Sequence, residues 1–479
     1  MNRVKQKSRK LLLFVALATS TLPLVARSSS LELRPLSGDA IHQSTVERRA
    51  VELAIWGIPM VNFDGIIQSM KRAGGHTNEI AVWTRPSNWK NQLLTPNSEV
   101  LYAIPFINTK DAGPMVLEIP PADGGAINGS IMDAWQSAVE DVGIVGADKG
   151  KGGKYLILPP GYQGQVPDGY IVVPSQTFQG FALLRSIPRS HSEADIAAAG
   201  SYVKRVKLYP LSTAESVAET KFIDVTNIEF DGAIPYDLRF FEALDRMVQI
   251  EPVQARDKMM YGWLASIGIE KGKRFAPDNK TKTILLSSLH EAHQWFVNRF
   301  LTVPPRYYSD RQWFFPAEPG VSESQGTFEL GDRYLTDARG TIYYFGFSNI
   351  KHSGTGQYYL LTTKDSGGRF LDGGTTYRLT VPPNVPVSQY WSITLYDRAT
   401  HTFIRGVELP TRSSLETGLE KNSDGSVDIY FGPKAPARRV GNWIPTKSGG
   451  TFEVMFRAYG PTKPLFDKTW QLEDIARVR

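Results

Sequence analysis

Two stretches far apart in the chain follow the same plan. Each is an alternating strand pattern that ends in Pro-Pro: MVLEIPP ends at Pro121, and YRLTVPP ends at Pro383. An aspartate follows each pair, Asp133 after 12 residues and Asp397 after 14. Proline is tolerated at strand ends, where a lost amide donor matters little. The repeat therefore favours folds with two strand-rich regions of similar design.

Two more landmarks extend this repeat. YIVVPS contains Pro174 and NWIPT contains Pro445; Arg185 follows the first proline by 11 residues, and Arg457 follows the second by 12. Chance resemblance between two antiparallel sheets is the alternative, because proline and arginine are common at strand ends. Four landmarks in one order favour a duplication that produces two sandwiches of like topology.

The periodicity of the apolar residues alternates along the chain. Helical spacing dominates 44–72 and 190–300, and period-two spacing dominates 100–185 and 341–459. Pro59 is expected to break or kink the first helix. Segregated strand blocks predict an α+β multidomain protein with two related antiparallel β-sandwich domains and associated helical segments. The predicted segments are a signal peptide at 1–26, a helical segment at 27–95, the first β-sandwich at 96–188, a helical region at 189–335, the second β-sandwich at 336–462 and a C-terminal tail at 463–479.

The N-terminus has the pattern of an export signal. A basic head is followed by a short apolar run at 11–25 and by Ala26, a small residue at which cleavage is expected. An uncleaved membrane anchor is the alternative, but the run is shorter than the roughly 20 residues that span a bilayer. We expect a periplasmic or secreted protein without stable membrane insertion after cleavage.

Removing that segment changes the charge balance. The formal net charge falls from +6 to +1, because five cations precede Ala26: Arg3, Lys5, Lys7, Arg9 and Lys10. No nucleic-acid partner is expected, since such binding needs a basic surface. The chain has no cysteine, which excludes thiolate nucleophiles and cysteine-based metal sites. No cofactor is predicted. The helical segments leave room for a homo-oligomer, although no heptad repeat supports one.

Several phrases resemble a known pair of bacterial domains. AIWGIPMVN, TPNSEVLY and DGYIVVPS are similar to the domain of unknown function numbered twelve fifty-four. YRLTVPPNVPVSQYWSITLYD, NSDGSVDIYFGP and NWIPT are similar to its usual C-terminal companion, numbered twelve fourteen. The resemblance covers nearly the whole mature chain and implies two β-sandwich domains, but no agreed activity. In the family phrase Asp-Thr stands where this chain has Glu99 and Val100, so the carboxylate is kept and the hydroxyl is lost.

Polar residues inside the matched phrases are the candidate site. Glu99, Tyr102 and Asp397 are the predicted catalytic residues, because carboxylates and a phenol can perform general acid–base chemistry. The predicted substrate-binding residues are Asn97, Trp135, Tyr396, Asn442 and Trp443. Asp133, Arg185 and Arg457 are predicted to be structural, since residues shared by both copies favour an Asp–Arg clamp between strand ends. Asp397, the equivalent of Asp133 in the second copy, also fits the interpretation as a structural clamp.

Other motifs have simpler interpretations. LHEAH places His290 and His293 three residues apart on a helix, but no third ligand accompanies them, so no metal site is predicted. The loop at 146–154 lacks the spacing of a phosphate loop, and the stretch at 422–430 is a hairpin turn and not a calcium loop. There is no G-x-S-x-G or H-E-x-x-H motif.

Two functions remain open from the sequence. The first is a hydrolase that acts on a small organic or ester-like substrate in an inter-domain cleft, using carboxylate and tyrosine groups. The alternative is a non-catalytic envelope protein that binds a carbohydrate or small ligand, which the ten Trp and twenty Tyr would favour. Fold alone does not decide between them. Convergence of Glu99, Tyr102 and Asp397 in one cleft would favour the enzyme.

Overall fold

The computed structural model describes residues 37–346, 351–352 and 356–478. The predicted signal peptide at 1–26 lies outside the described residues. The helices are α1 (Gly38–Arg72), α2 (Thr109–Ala112), α3 (Glu193–Val203), α4 (Arg239–Ile250), α5 (Lys258–Ser266), α6 (Asn279–Thr302), α7 (Thr336–Phe345) and α8 (Lys463–Phe466).

The strands fall into an N-terminal and a C-terminal group. The first group is β1 (Ile80–Val82), β2 (Asn91–Gln92), β3 (Leu101–Asn108), β4 (Met115–Ile119), β5 (Ile127–Asp133), β6 (Ala138–Gly143), β7 (Gly153–Leu158), β8 (Ile171–Pro174), β9 (Gln179–Ser186), β10 (Lys207–Pro210), β11 (Phe222–Asp224) and β12 (Phe230–Asp231). The second group is β13 (Glu329–Leu330), β14 (Arg333–Tyr334), β15 (Gln357–Thr362), β16 (Tyr377–Val381), β17 (Trp391–Asp397), β18 (Thr411–Ser413), β19 (Val427–Gly432), β20 (Trp443–Pro445), β21 (Phe452–Tyr459) and β22 (Ala476–Arg477).

Four sheets form two sandwiches in which eight corresponding strands have the same order, and the first sandwich has β11 and β1 in addition. The first sandwich pairs a sheet of order β11-β1-β3-β9-β5-β6 with one of order β10-β4-β7-β8. The second pairs β15-β21-β17-β18 with β22-β16-β19-β20. The match extends to pairing direction, since β7–β8 and β19–β20 are both parallel in otherwise mainly antiparallel sheets. The expected α+β fold with two sandwiches of like topology is confirmed.

Buried and exposed side chains alternate along the strands, which accounts for the formation of these sheets. Along β16, Tyr377, Leu379 and Val381 are buried, whereas Arg378 is exposed, which is the period-two pattern of a strand with one face on a core. Each sandwich has its own apolar core between its two sheets.

The sandwiches extend beyond their predicted boundaries. β10 pairs with β4 although it lies after residue 188, and β1 pairs with β3 although it lies before residue 96. The segment predicted as a tail supplies β22, which pairs with β16. These peripheral strands have two to four residues, too few for a recognisable alternation.

Helix α1 continues through Pro59, so the predicted break is wrong. The helix is buried on nearly every side from Leu53 to Ile67, and tertiary packing offsets the cost of an internal proline. Helix α7 packs against this turn. Arg339 donates from Nη2 to the carbonyl of Trp56 at 2.7 Å, and a Cβ on Gly340 would lie 2.9 Å from the carbonyl oxygen of Ile55. Glycine therefore permits the close approach.

A third core, larger than the others, connects the helices to both sandwiches. It contains α1 together with side chains from β3 and β9 of the first sandwich and from β15 and β21 of the second. Helix α1 is also the helix among the described residues that is long and apolar enough to cross a bilayer, but its most apolar stretch is mainly buried in the protein. Corresponding strands of the two sandwiches thus share one core with the helices.

Two buried carboxyl groups make the stability of the folded protein depend on pH. Burial raises the pKa of Glu251 to about 7, although the backbone amides of Phe178 and Gln179 donate to it. Burial also raises the pKa of Asp133 to about 6. Both groups bind a proton in the folded state at a pH where the unfolded chain has released it. Their stabilising contribution is present below about pH 4.5 and is lost as the pH rises to about 7.

We expect the free energy of unfolding to fall by on the order of 1 kcal/mol per pH unit between pH 5 and 7. Urea titrations across that range measure it, and Glu251→Gln should reduce the slope. The exposed Glu219→Gln is the control and should leave the slope unchanged. An identical slope in Glu251→Gln would contradict this account.

Candidate functional site

A cavity of about 370 Å³ lies between the two sandwiches. We call it the central cavity. Its wall combines strands β3 and β9 of the first sandwich with β15 and β21 of the second, and it is completed by the loops at 93–97 and 315–326 and by the end of α7. The volume is within the usual range of small-molecule sites.

Aromatic rings form one side of the central cavity. Phe315 stacks on Tyr358 with ring centres 4.9 Å apart, and Phe466 meets Tyr358 edge-on at 5.2 Å. Phe466 is 44% exposed, so this aromatic side faces solvent. An apolar portion of a ligand would find its contacts here.

Equivalent strands carry the polar side of the cavity. Tyr102 on β3 lies opposite Arg185 on β9, and Tyr359 on β15 lies opposite Arg457 on β21. These four residues all border the central cavity. The repeat therefore places two tyrosine–arginine pairs at one site, one from each sandwich.

Arg457 is held almost entirely within the protein, with 2% of its surface exposed. It donates from Nη1 to Oγ1 of Thr394 at 2.9 Å and from Nη2 to the carbonyl of Thr95 at 3.0 Å. Nη2 also donates to the hydroxyl of Tyr396 at 2.5 Å. Its buried Nε has no hydrogen-bond partner among the described residues. The Nε–H donor is thus left for a bound molecule.

The loop that receives Arg457 has a strained backbone. Thr95 has φ of +40°, a region that β-branched residues rarely adopt. Its amide donates to the carbonyl of His401 at 2.7 Å, and its own carbonyl accepts from Arg457. Strain of this kind persists where surrounding contacts fix it and is common at functional sites.

Arg185 is half-buried, and its guanidinium lies 5.8 Å from the centre of the Tyr102 ring. Within the described part of the chain, neither Arg185 nor Arg457 forms an ion pair, and no carboxylate or imidazole side chain borders the central cavity. Arginine stays protonated at any physiological pH. The cavity therefore carries two positive charges that no acidic side chain on its wall offsets.

Buried phenols surround these cations as hydrogen-bonding groups. Burial raises the pKa of Tyr396 and of Tyr459 above the ordinary tyrosine value, so both phenols stay protonated. Nδ2 of Asn97 donates to the Tyr459 hydroxyl at 2.5 Å, and the backbone amide of Asn97 donates to the Tyr102 hydroxyl at 3.0 Å. Asn97 thereby fixes tyrosines from both sandwiches.

The three predicted catalytic residues do not converge. Tyr102 borders the central cavity. Glu99 faces a different cleft, where its Oε2 lies 2.8 Å from Nε2 of His191. Asp397 borders a third cavity and accepts from the amide of Ala399 at 2.8 Å. Glu99 lies in the turn before β3, Tyr102 lies on β3 itself, and Asp397 ends β17 of the other sandwich, so the three side chains reach different cavities.

The predicted binding residues also have separate locations. Asn97 borders the central cavity, and Tyr396 lies behind Arg457. Trp135 is buried against Trp56, with ring centres 4.7 Å apart. Asn442 is buried and donates to the carbonyls of Glu420 and Asp428, while Trp443 donates to the carbonyl of Gly432 at 2.9 Å. Three of the five predicted binding residues therefore pack elsewhere in the fold.

The predicted Asp–Arg clamps are not formed. Oδ1 of Asp133 accepts from the amide of Ser137 at 2.9 Å, and Asp397 accepts from its own turn. Arg185 and Arg457 face the central cavity instead. Each aspartate caps a turn at the end of its strand, while each arginine sits further along a neighbouring strand.

Sequence reasoning missed Tyr359, Phe315, Tyr358 and Phe466. The repeat contained a usable signal for Tyr359, since QYYLLTT stands before the Pro-Pro strand of the second sandwich as EVLYAIPF stands before that of the first. Phe315 comes from the region between the sandwiches and Phe466 from the segment after the second. Nothing local in the sequence connects those rings to the site.

The fold and its parts are similar to known proteins. The chain resembles the crystal structure of the VPA0106 protein from Vibrio parahaemolyticus, with a TM-score of 0.55 and 17% identity over 91% of this chain and 100% of that one. A weaker likeness, with a TM-score of 0.40 and 10% identity, covers 92% of this chain and 95% of an uncharacterised protein from Burkholderia cenocepacia. At such identities a likeness concerns the fold alone.

Two domain families match the sequence itself. Residues 77–210 match the family described as protein of unknown function DUF1254, and residues 356–463 match protein of unknown function DUF1214. The chain therefore belongs to the proteins that combine these two domains in this order, as the resemblance implied. No curated protein matches it significantly.

Removing the hydroxyl of Tyr396 tests the set of hydrogen bonds that holds Arg457, which we call the arginine cage. It accepts from Arg457 and donates to the carbonyl of Pro96 at 2.6 Å. Tyr396→Phe should lower the free energy of unfolding by about 1–3 kcal/mol, because it leaves buried polar groups underbonded. Urea denaturation measures the loss.

Tyr430→Phe is the matched control. Tyr430 is half-buried on β19 and its hydroxyl makes no hydrogen bond to another described residue, so its replacement should change stability by less than about 0.5 kcal/mol. Equal effects of the two substitutions would show that the cage does not depend on the Tyr396 hydroxyl.

Proposed function

We propose that the protein binds a small organic anion, with an apolar portion and a carboxylate, in the central cavity. The observation that carries this proposal is the convergence of Arg185 and Arg457 on one cavity whose described wall holds no acidic side chain. Leaving buried charges unpaired is unfavourable. A bound carboxylate would offset them.

The arrangement of the wall supports the same ligand class. The wall contains the charged donors of Arg185 and Arg457 and a cluster of three rings, those of Phe315, Tyr358 and Phe466. Charge-assisted hydrogen bonds from arginine to carboxylate are strong and directional, and aromatic contacts suit an aliphatic or aromatic tail. A carbohydrate would leave the two cations without a counter-charge.

A hydrolase remains the other function expected from the sequence. In the central cavity hydrolysis would lack a general base, because the described wall contains no carboxylate or imidazole. On that wall, burial raises the pKa of the Tyr358 phenol to about 12, so this group stays protonated. Binding is therefore the function that these residues favour.

Binding of octanoate tests the proposal. Isothermal titration should detect octanoate, and the neutral octanamide should bind at least about tenfold more weakly, because a hydrogen bond to a charged group is worth roughly 1.5–3 kcal/mol. Arg185→Gln should weaken octanoate binding by a similar factor without changing octanamide binding.

Arg205→Gln is the control, since Arg205 is an exposed arginine that pairs with Asp123 away from the cavity. It should bind octanoate like the wild type. Equal affinities for octanoate and octanamide, or an unchanged affinity in Arg185→Gln, would refute the anion site.

We also propose that the protein acts outside the cytoplasm, supported by the basic head and apolar run before Ala26. Expressed in a bacterium, the chain should be recovered from the periplasm or medium with a mass that begins at Arg27. Leu13→Glu, which interrupts the apolar run, should retain it inside the cell. A full-length chain in the cytoplasm would refute export.

A further inference from the structure

A second cleft, of about 410 Å³, lies on another side of the molecule and is also built by both sandwiches. We call it the Glu99 cleft. Glu99 and His191 come from the N-terminal half, and Arg412 and Glu416 come from β18 and the loop after it. The apolar side chains of Ile196 and Leu409, with Pro86 and Pro410, complete the wall.

Glu99 and His191 form a pair in which the carboxylate is buried and the imidazole is partly exposed. The Glu99 side chain has no exposed surface, whereas 32% of the His191 side chain is exposed. Because Nε2 of His191 faces the carboxylate at 2.8 Å, Nδ1 is the nitrogen left for a bound molecule. A carboxylate that fixes one imidazole nitrogen in this way sets the tautomer and orients the other.

Other polar atoms of the cleft lack partners. Oε1 of Glu99, Oγ of Ser98 and Nε of Arg412 are buried, and none makes a hydrogen bond within the described residues. Nε of Arg412 lies 3.8 Å from Oε2 of Glu416, beyond hydrogen-bonding distance. Unsatisfied buried polar atoms are costly, and their concentration beside an oriented imidazole indicates a site for a polar ligand.

We propose that the Glu99 cleft is a hydrolytic site for small neutral carboxylic esters, with His191 as the general base. Nδ1 of His191 takes a proton from water while the water oxygen bonds to the ester carbonyl carbon. The resulting oxyanion accepts a hydrogen bond from the Arg412 guanidinium. The ester C–O bond then breaks, and the leaving alcohol takes the proton back from the imidazolium. The products are one acid and one alcohol.

Glu99 is a positioning residue in this scheme. It stabilises the imidazolium and holds the ring, and the hydrogen bond that Nε2 of His191 donates to Glu99 raises the pKa of His191 above its ordinary value against the effect of burial. Glu416 also faces the ring with a negative charge, and Arg412 adds a positive charge on the same wall. A base whose pKa approaches the working pH is efficient.

Hydrolysis of 4-nitrophenyl acetate and 4-nitrophenyl butyrate tests the proposal. The wild type should turn over at least one of these esters, and His191→Asn should lower kcat/KM by about 100-fold, the usual contribution of a general base. His290→Asn is the matched control, since His290 is an exposed histidine on α6, and it should retain full activity.

The pH dependence of kcat/KM distinguishes a positioning role of Glu99 from a role in folding alone. Glu99→Gln should lower kcat and move the acidic midpoint of the kcat/KM profile to lower pH, while circular dichroism confirms a folded chain. Turnover of neither ester above the buffer rate would overturn the proposal. So would full activity in His191→Asn, or equal losses in His191→Asn and His290→Asn, which would indicate unspecific imidazole chemistry.

Discussion

The burial of helix α1 between the two sandwiches is the constraint on which the rest of the structure depends. Its apolar residues cover the helix nearly all round, so the chain must enclose it from several sides. Strands β9 and β21 contribute to that enclosure. Because these strands are equivalent in the repeat, Arg185 and Arg457 reach the same cavity. The site is thus a consequence of placing two copies around one helix.

Stability alone does not account for those arginines. Burying a guanidinium without a carboxylate is unfavourable, and among the residues that the structure describes Arg457 is compensated by carbonyls and hydroxyls alone. Apolar side chains of similar volume would pack the same space at lower cost. Two cations at one cavity are therefore better explained by a ligand than by the fold.

Much of the architecture could be predicted from the sequence. The Pro-Pro pairs ending at Pro121 and Pro383 marked equivalent strands, and the strand orders confirm this. The continuation of α1 through Pro59 could not be predicted, because it depends on packing against Arg339 and Gly340 from a distant helix. Local propensity weighs little against such burial.

The candidate site was less accessible to prediction. Shared residues were interpreted as architectural, yet Arg185 and Arg457 border the central cavity because the two copies face each other, a relation that no sequence spacing contains. Likewise, the partnership of Glu99 with His191 spans 92 residues. Glu99 lies in a turn and Tyr102 on the strand that follows it, and the residue types of TPNSEVLY do not show that the two side chains reach different clefts.

A crystal structure with bound 8-bromooctanoate tests the anion site most directly. We predict carboxylate density at Arg185 and the Nε of Arg457, with the anomalous bromine signal near Phe315 and Phe466. Carboxylate density away from both arginines, or bromine signal only outside the central cavity, would contradict it.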